Sequence, residues 1–303
     1  MEPFAISVMI AATPFLFAAM GELVAERAGV LNLGLEGMML MGAVTAFGVA
    51  FTTGSTVLAV AAGALAGAAM ALLFAVLAIS LMANQAATGL ALTIFGVGAS
   101  GLIGQGFIGQ PLPPPVKLAI PGLSDGTMAG RILLGHDALV YLALAMAVAV
   151  AWFLARSRAG LALRAVGDSA DSAHALGLNV TATRYAATLF GGAMAGVGGA
   201  YLSLAYTPMW GENMTAGRGW IALALVVFAT WRPGRLVAGA YLFAAITQAQ
   251  FYGQGAGLGV PQQVLAMAPY LATIVALVII SRDRALTRAN APACLGRPFR
   301  ADR

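Results

Sequence analysis

Nine apolar runs, almost free of charge, constrain this 303-residue chain more than any other feature. They fall at residues 4–21, 38–53, 56–82, 86–110, 138–155, 185–207, 219–231, 235–250 and 264–281. Arg235, at the edge of the eighth, is the single Asp, Glu, Lys or Arg among them. As helices, apolar stretches of about 17 or more residues match the hydrocarbon thickness of a bilayer. Only 9% of the residues are charged and 60% are hydrophobic, whereas a soluble domain carries about 25% charge. Such a chain cannot cover its surface with polar groups, so that surface faces lipid. The expected fold class is all-α, a polytopic transmembrane helix bundle of about nine spans. The second and seventh windows are short, and the third and fourth are long enough to tilt or break. The start, Met-Glu-Pro, lacks a basic region, so the first segment is expected to stay in the membrane uncleaved.

Arginine placement orients the bundle. With the C-terminus in the cytoplasm, one side holds Arg27, Arg156, Arg158, Arg164, Arg184, Arg232, Arg235 and six arginines of the tail, thirteen in all. The other side holds Lys117, Arg131 and Arg218. Nine spans then put the N-terminus outside. The transmembrane domain is expected over 1–281, with an inside loop at 156–184 and a proline-rich outside loop at 111–137. A basic cytoplasmic tail, 282–303, is expected to be poorly ordered. Because the basic residues follow topology rather than one compact module, nucleic acid is not an expected partner, despite a pI near 9.8.

Several chemistries are excluded by the residues themselves. Cys294 is the single cysteine, and the two histidines, His136 and His174, lie in opposite loops, so no shared metal site is expected. The one lysine, Lys117, has no phosphate-cradling loop around it. No hydrolase motif is present, so no catalytic residue and no cofactor are expected. The apolar windows offer no carboxylate for an ion, which disfavours proton coupling. Sodium coupling through backbone carbonyls stays open.

A pore without its own energy site needs a partner, and the inside loop is where one would dock. From Asp168 to Gly177 it reads DSADSAHALG. Asp168 or Ser169 can cap a short helix that also includes Asp171. Ala170, Ala173 and Leu176 fall on one stripe, Gly177 suits a C-terminal stop, and Asn179 or Thr181 can cap the next span. That is the shape of a coupling helix. An interfacial helix resting on lipid headgroups fits the same pattern.

Three segments resemble the membrane subunits of bacterial ABC importers of the ribose and branched-chain amino acid permease superfamily, closest to the nucleoside and simple-sugar branch. They are ERAGVLNLGLEGMMLMGA from Glu26, NQAATGLALTIFGVG from Asn84, and RAVGDSADSAHALGLNVTATRY from Arg164. The third continues through GGAMAGVGGAYLSL to GENMTAGRGWIALALVVFATWRPG from Gly211. The resemblance implies a pore subunit in a bacterial inner membrane. Its implied partners are a cytoplasmic ATP-binding subunit, a second, non-identical permease and an extracytoplasmic substrate-binding protein. It also makes 168–177 the coupling helix.

The same resemblance selects candidates for the translocation path or gate. Glu26, Asn32 and Glu36, with Glu22 and Arg27, border a Gly- and Leu-rich run read either as a broken helix lining the path or as a solvated cytoplasmic turn. Asn32 stands where ribose-type relatives often carry Asp. Asn84, Gln85 and Thr88 open the fourth span, where neutral groups suit a nucleoside or bond across helices. Glu212, Asn213 and Arg218 precede the seventh, with Arg218 placed to pair with Glu212 at an outer gate. Trp210, Trp220 and Trp231 read as an aromatic belt, and Gly63/Gly67 and Gly192/Gly196 as packing faces. The expected function is ATP-driven import of a small polar solute, nucleosides or simple sugars first. Branched-chain amino acids, an ion-coupled carrier and a non-transporting scaffold are the alternatives.

Overall fold

A computed structural model describes residues 2–118, 128–255, 261–281 and 290–300. Every one of the nine windows falls on a helix, and among the described residues there is no strand. The long helices are α1 (Glu2–Arg27), α2 (Leu35–Thr53), α3 (Thr56–Ala75), α4 (Gln85–Gly104), α6 (Ala138–Arg156), α9 (Val180–Tyr201), α11 (Pro233–Gly255) and α12 (Gln262–Ser281). Between them lie the shorter α5 (Met128–Leu134), α7 (Arg158–Asp168), α8 (Ala170–Ala175) and α10 (Arg218–Phe228). By length and composition, six helices among the described residues suffice to cross a membrane: α1, α2, α3 with its extension, α4, α6, and α9 with its extension. The seventh window forms only the 11-residue α10, about 16 Å long at 1.5 Å per residue.

Glycine sets the centre of the bundle. The helix α9 packs against α1, α2 and α3, and at its contact with α3 a methyl group on Gly67 would overlap the carbonyl of Gly192. One on Gly196 would overlap that of Gly63. Lipid-like surroundings give helices no hydrophobic drive to associate, so close backbone approach through small residues takes over. Phe17, Met20, Leu23, Met38, Met39 and Phe74 fill the space around this seam.

Termination is local. Ser55, Asn84, Asp137, Ser157 and Asn179 each accept a backbone N–H at the start of α3, α4, α6, α7 and α9. The third window ends in a widened π turn at Val76–Ser80, and the fourth breaks into a 3-10 turn at Gln105–Phe107. Glu2, at the start of α1, pairs with Arg131 at 2.6 Å, which puts the N-terminus on the side of the 111–137 loop. The other end of α1 lies beside α7 and the 290–300 segment.

Three expectations change. Trp210 and Trp231 are buried, not part of a lipid-facing belt, while Trp220 is exposed. The inside loop carries two helices, because Gly160, Leu163, Val166 and Gly167 give α7 its own buried face. The tail within 290–300 is packed against the bundle, as described below; residues 282–289 and 301–303 lie outside the described residues.

Candidate functional site

Between α1 and α2 the chain runs through residues 28–34 without helix, and it is no solvated turn: Ala28, Val30 and Asn32 are buried. Non-helical backbone at such a place needs partners for its polar groups, and side chains supply them. The Asn32 N–H donates to Glu22 Oε1 at 3.2 Å, and the Leu31 N–H to Gln85 Oε1 at 2.8 Å. Thr93 donates to the Leu33 carbonyl at 3.0 Å. Asn32 Oδ1 accepts the Gly34 N–H at 2.9 Å, which turns the chain into α2. Neutral Asn suffices for this task. On the α4 side, a methyl on Gly89 would sit 2.6 Å from the Leu33 nitrogen, so the loop rests directly on that helix.

Glu36 is the centre of the arrangement. Its carboxylate accepts from Thr215 Oγ1 (2.5 Å) and from the backbone N–H groups of Gly217 (2.8 Å) and Gly219 (2.6 Å). Glu36 lies in the first turn of α2, while Gly217 and Gly219 form the start of α10, so two helix N-termini meet at one carboxylate. Each carries partial positive charge from its unpaired N–H groups, and an anion there stabilises both. Gly217, at φ +83°, makes the turn into α10.

The far end of α10 is tied to the end of α1. Trp231 Nε1 donates to Glu26 Oε2 at 2.5 Å, and Arg27 donates to the Trp231 carbonyl through Nε (3.1 Å) and a terminal nitrogen (2.7 Å). Cationic Arg27 thus sits at the carbonyl end of the short helix, where its charge is favoured. Ala216 precedes α10 and Thr230 and Trp231 follow it with positive φ, a strained geometry held only because the surroundings determine it. A half-length helix is therefore fixed at its two ends by Glu36 and by Glu26 with Arg27.

The apolar windows carry no carboxylate, yet three at the adjoining helix ends are taken into the bundle. Glu22 and Glu26 in α1 and Glu36 in α2 are all buried. Charge-free windows stop short of them because hydropathy counts the charge and not its partners. The Glu212–Arg218 pair is not formed. Arg218 donates to the carbonyls of Met214 and Thr215 and lies 5.3 Å over the Tyr206 ring, while Glu212 and Asn213 are exposed. Arg218, Tyr206, Met209 and Met214 line a cavity of 200 Å³ beside the 207–217 loop. Asn84 is an exposed cap, accepting the Ala87 N–H at 3.0 Å; Gln85 and Thr88 are buried against the loop side of α4.

The short helix expected within 168–177 forms as α8. Ser169 is the cap, accepting the Ser172 N–H at 3.3 Å, and Asp168 ends α7. Gly177 turns the chain at φ +83°, and Asn179 caps α9. The expected stripe is split, however. Ala170 and Ala173 face inward and are buried, whereas Leu176 is 82% exposed beyond the last turn, and Asp171 is exposed with it. Leu176 is the residue that caps the C-terminal end of α8, and it stands clear of the surface that buries Ala170 and Ala173.

Thr215, Gly217 and Gly219 as partners of Glu36, and Trp231 as partner of Glu26, were not found from the sequence. Each bond spans well over a hundred residues, and one sequence holds no signal for such a pairing.

The profile of the family described as "Branched-chain amino acid transport system / permease component" matches residues 4–281. A putative glucose ABC transporter permease of Haloferax volcanii is 41% identical over 290 residues, covering 88% of both chains. The guanosine ABC transporter permease of Bacillus subtilis is 32% identical over 308 residues, covering 96% of this chain and 94% of its own. A nucleoside ABC transporter permease of Lactococcus lactis is 33% identical over 303 residues, with the same coverage. No solved structure matches. With nearly its whole helical bundle matched, the chain belongs to the branched-chain amino acid transport system permease family, as a multi-pass membrane subunit of an ABC transporter.

Proposed function

We propose that the chain is the pore subunit of an ATP-driven importer for nucleosides or simple sugars. Relatives named for glucose, guanosine and nucleosides, each matched over at least 88% of its length, carry the choice of solute. Burial supports an uncharged cargo. Both carboxylate oxygens of Glu36 accept hydrogen bonds from this chain's own donors, and no Asp, Glu, Lys or Arg but Arg235 lies within the apolar windows, whereas an ionic solute would ordinarily meet a counter-charge there. The family description favours branched-chain amino acids as a second reading.

ATP hydrolysis belongs to a separate subunit. We assign docking of that subunit to α8, through Leu176, Asp171 and the Gly177 turn, with Asp168, Ala170 and Ala173 holding the helix to the bundle. All nine windows are proposed as crossings, with the N-terminus and the 111–137 loop outside and the C-terminus in the cytoplasm of a bacterial inner membrane. On this reading the second crossing is entered from the cytoplasm through the 28–34 loop, and the seventh from outside through the 207–217 loop. Their helices α2 and α10 start back to back at Glu36. A second, non-identical permease and an extracytoplasmic binding protein complete the importer. The path runs beside the 28–34 loop, where Glu26, Asn32, Glu36, Gln85 and Thr88 set the walls. Glu212, Asn213 and Arg218 form the outer gate.

The test is competition in proteoliposomes holding the assembled complex and internal ATP. Uptake of labelled adenosine is expected to fall with excess guanosine or glucose and to ignore leucine. Competition by leucine alone would move the assignment to the second reading.

A further inference from the structure

The 290–300 segment crosses the face that holds α8, and its contacts tie together parts of the chain that are distant in sequence. The Cys294 N–H donates to the Gly167 carbonyl at 2.9 Å, in the joint between α7 and α8. Two residues on, the Gly296 N–H donates to the Gly29 carbonyl at 3.1 Å, in the loop between α1 and α2. Arg184 of α9, buried to 2% exposure, donates to the Arg297 carbonyl at 2.9 Å. The Phe299 ring meets the His174 ring of α8 edge-on at 5.5 Å. At the other end, the Asn290 carbonyl accepts from Arg27 at 3.1 Å, and its side-chain oxygen accepts from Arg232, after α10, at 3.3 Å.

These bonds have a pattern. Within three residues the segment grips the α7–α8 joint and the loop below Glu22 and Glu36, and it is seated on a buried cation. Cys294 and Phe299 also complete the apolar cluster of Val166, Ala170, Ala173 and Val180 that holds α8 down. Gly167 already touches the same loop, since a methyl group there would overlap the Arg27 carbonyl. One rigid patch thus joins α8, the start of the 28–34 loop and the end of α10.

We infer that residues 290–300 are a coupling strap, which transmits displacement of α8 to the 28–34 loop. The inference rests on the assignment of α8 as the docking helix. Cys294, Gly296 and Phe299 are positioning residues, acting through α8 and the loop rather than on solute. Pulling α8 moves the Gly167 carbonyl, the strap carries Gly29 with it, and Asn32 and Glu36 shift relative to α4. Without the strap, the ATPase subunit still docks on exposed Leu176, but its stroke reaches the loop only through the direct contact of Gly167 and is weakened.

The experiment uses the whole complex, captured by a tag on the ATPase subunit and reconstituted, with uptake counted per ATP hydrolysed. Deleting residues 290–303 is expected to lower that ratio about tenfold or more, within the usual range of coupling between sites, while capture and hydrolysis persist. Phe299→Ala, which keeps the backbone bonds, should lower it by a smaller factor, and Phe299→Tyr should restore it. An unchanged ratio in the deletion overturns the strap. Loss of capture in the deletion also overturns it, because the segment would then serve assembly rather than transmission. Leu176→Asp separates the two claims. If it leaves capture intact, the docking assignment fails and the strap with it; if it abolishes capture while the deletion keeps its ratio, only the strap fails.

Discussion

Glu36 shows what a single carboxylate does when two helices begin at it. Thr215, Gly217 and Gly219 all point their donors at it, and an unmade buried hydrogen bond costs about 1–3 kcal/mol. Glu36→Ala orphans all three and should lower the thermal midpoint of the purified chain by many degrees and abolish uptake. Glu36→Gln keeps an acceptor and should lose less in both measurements. Equal effects from the two variants would contradict the assignment. Trp231→Phe removes the one donor to Glu26 and should cost about 1–3 kcal/mol, read as a lower unfolding midpoint. At this scale the sequence pointed to Glu26, Asn32 and Glu36 as a group, and separately to Gln85 at the start of the fourth span, but not to their partners. Arg218 misled, because proximity in sequence to Glu212 suggested a pair, whereas backbone carbonyls and the Tyr206 ring lie closer to it.

Among the elements, helices with local signals were legible and helices shaped by long-range contacts were not. The caps at Ser169 and Asn179 and the Gly177 stop are short-range chemistry, so α8 and the start of α9 could be read directly. The face of α8 could not, because it depends on Val166, Val180 and Cys294 beneath it. Ala173→Glu therefore buries a charge and should reduce accumulation of the folded chain, while Leu176→Asp should leave accumulation normal and weaken capture of the ATPase subunit. Membrane fractionation with co-purification separates the two; identical behaviour would contradict the observed burial. The glycine seam was legible as GxxxG spacing in both helices, though not which helix each faced. Gly196→Leu should prevent α3 and α9 from closing and sharply reduce the folded, detergent-stable chain. Wild-type yield and melting would show that the seam is not required.

For the whole molecule, hydropathy placed each of its nine windows on a helix, because a segment in lipid must satisfy its backbone internally. It cut α1 and α2 short, whereas the seventh window was short from the start and so is α10. Glu22 and Glu26 end the first window early and Glu36 delays the second, although all three are buried and accept hydrogen bonds, and the 11-residue α10 is fixed at both ends. The tail is the clearest case. Its composition is that of a solvated segment, but residues 290–300 pack because half-buried Arg27 and buried Arg184 require carbonyl acceptors. The central claim is that this chain is a pore driven by a separate motor. It is tested most directly by extracting the tagged chain gently from its native membrane, identifying what co-purifies, and reconstituting the result. An ATP-hydrolysing subunit and a second permease are expected, with uptake that needs ATP and ignores ion gradients. The chain recovered alone, with uptake driven by an ion gradient, would contradict it.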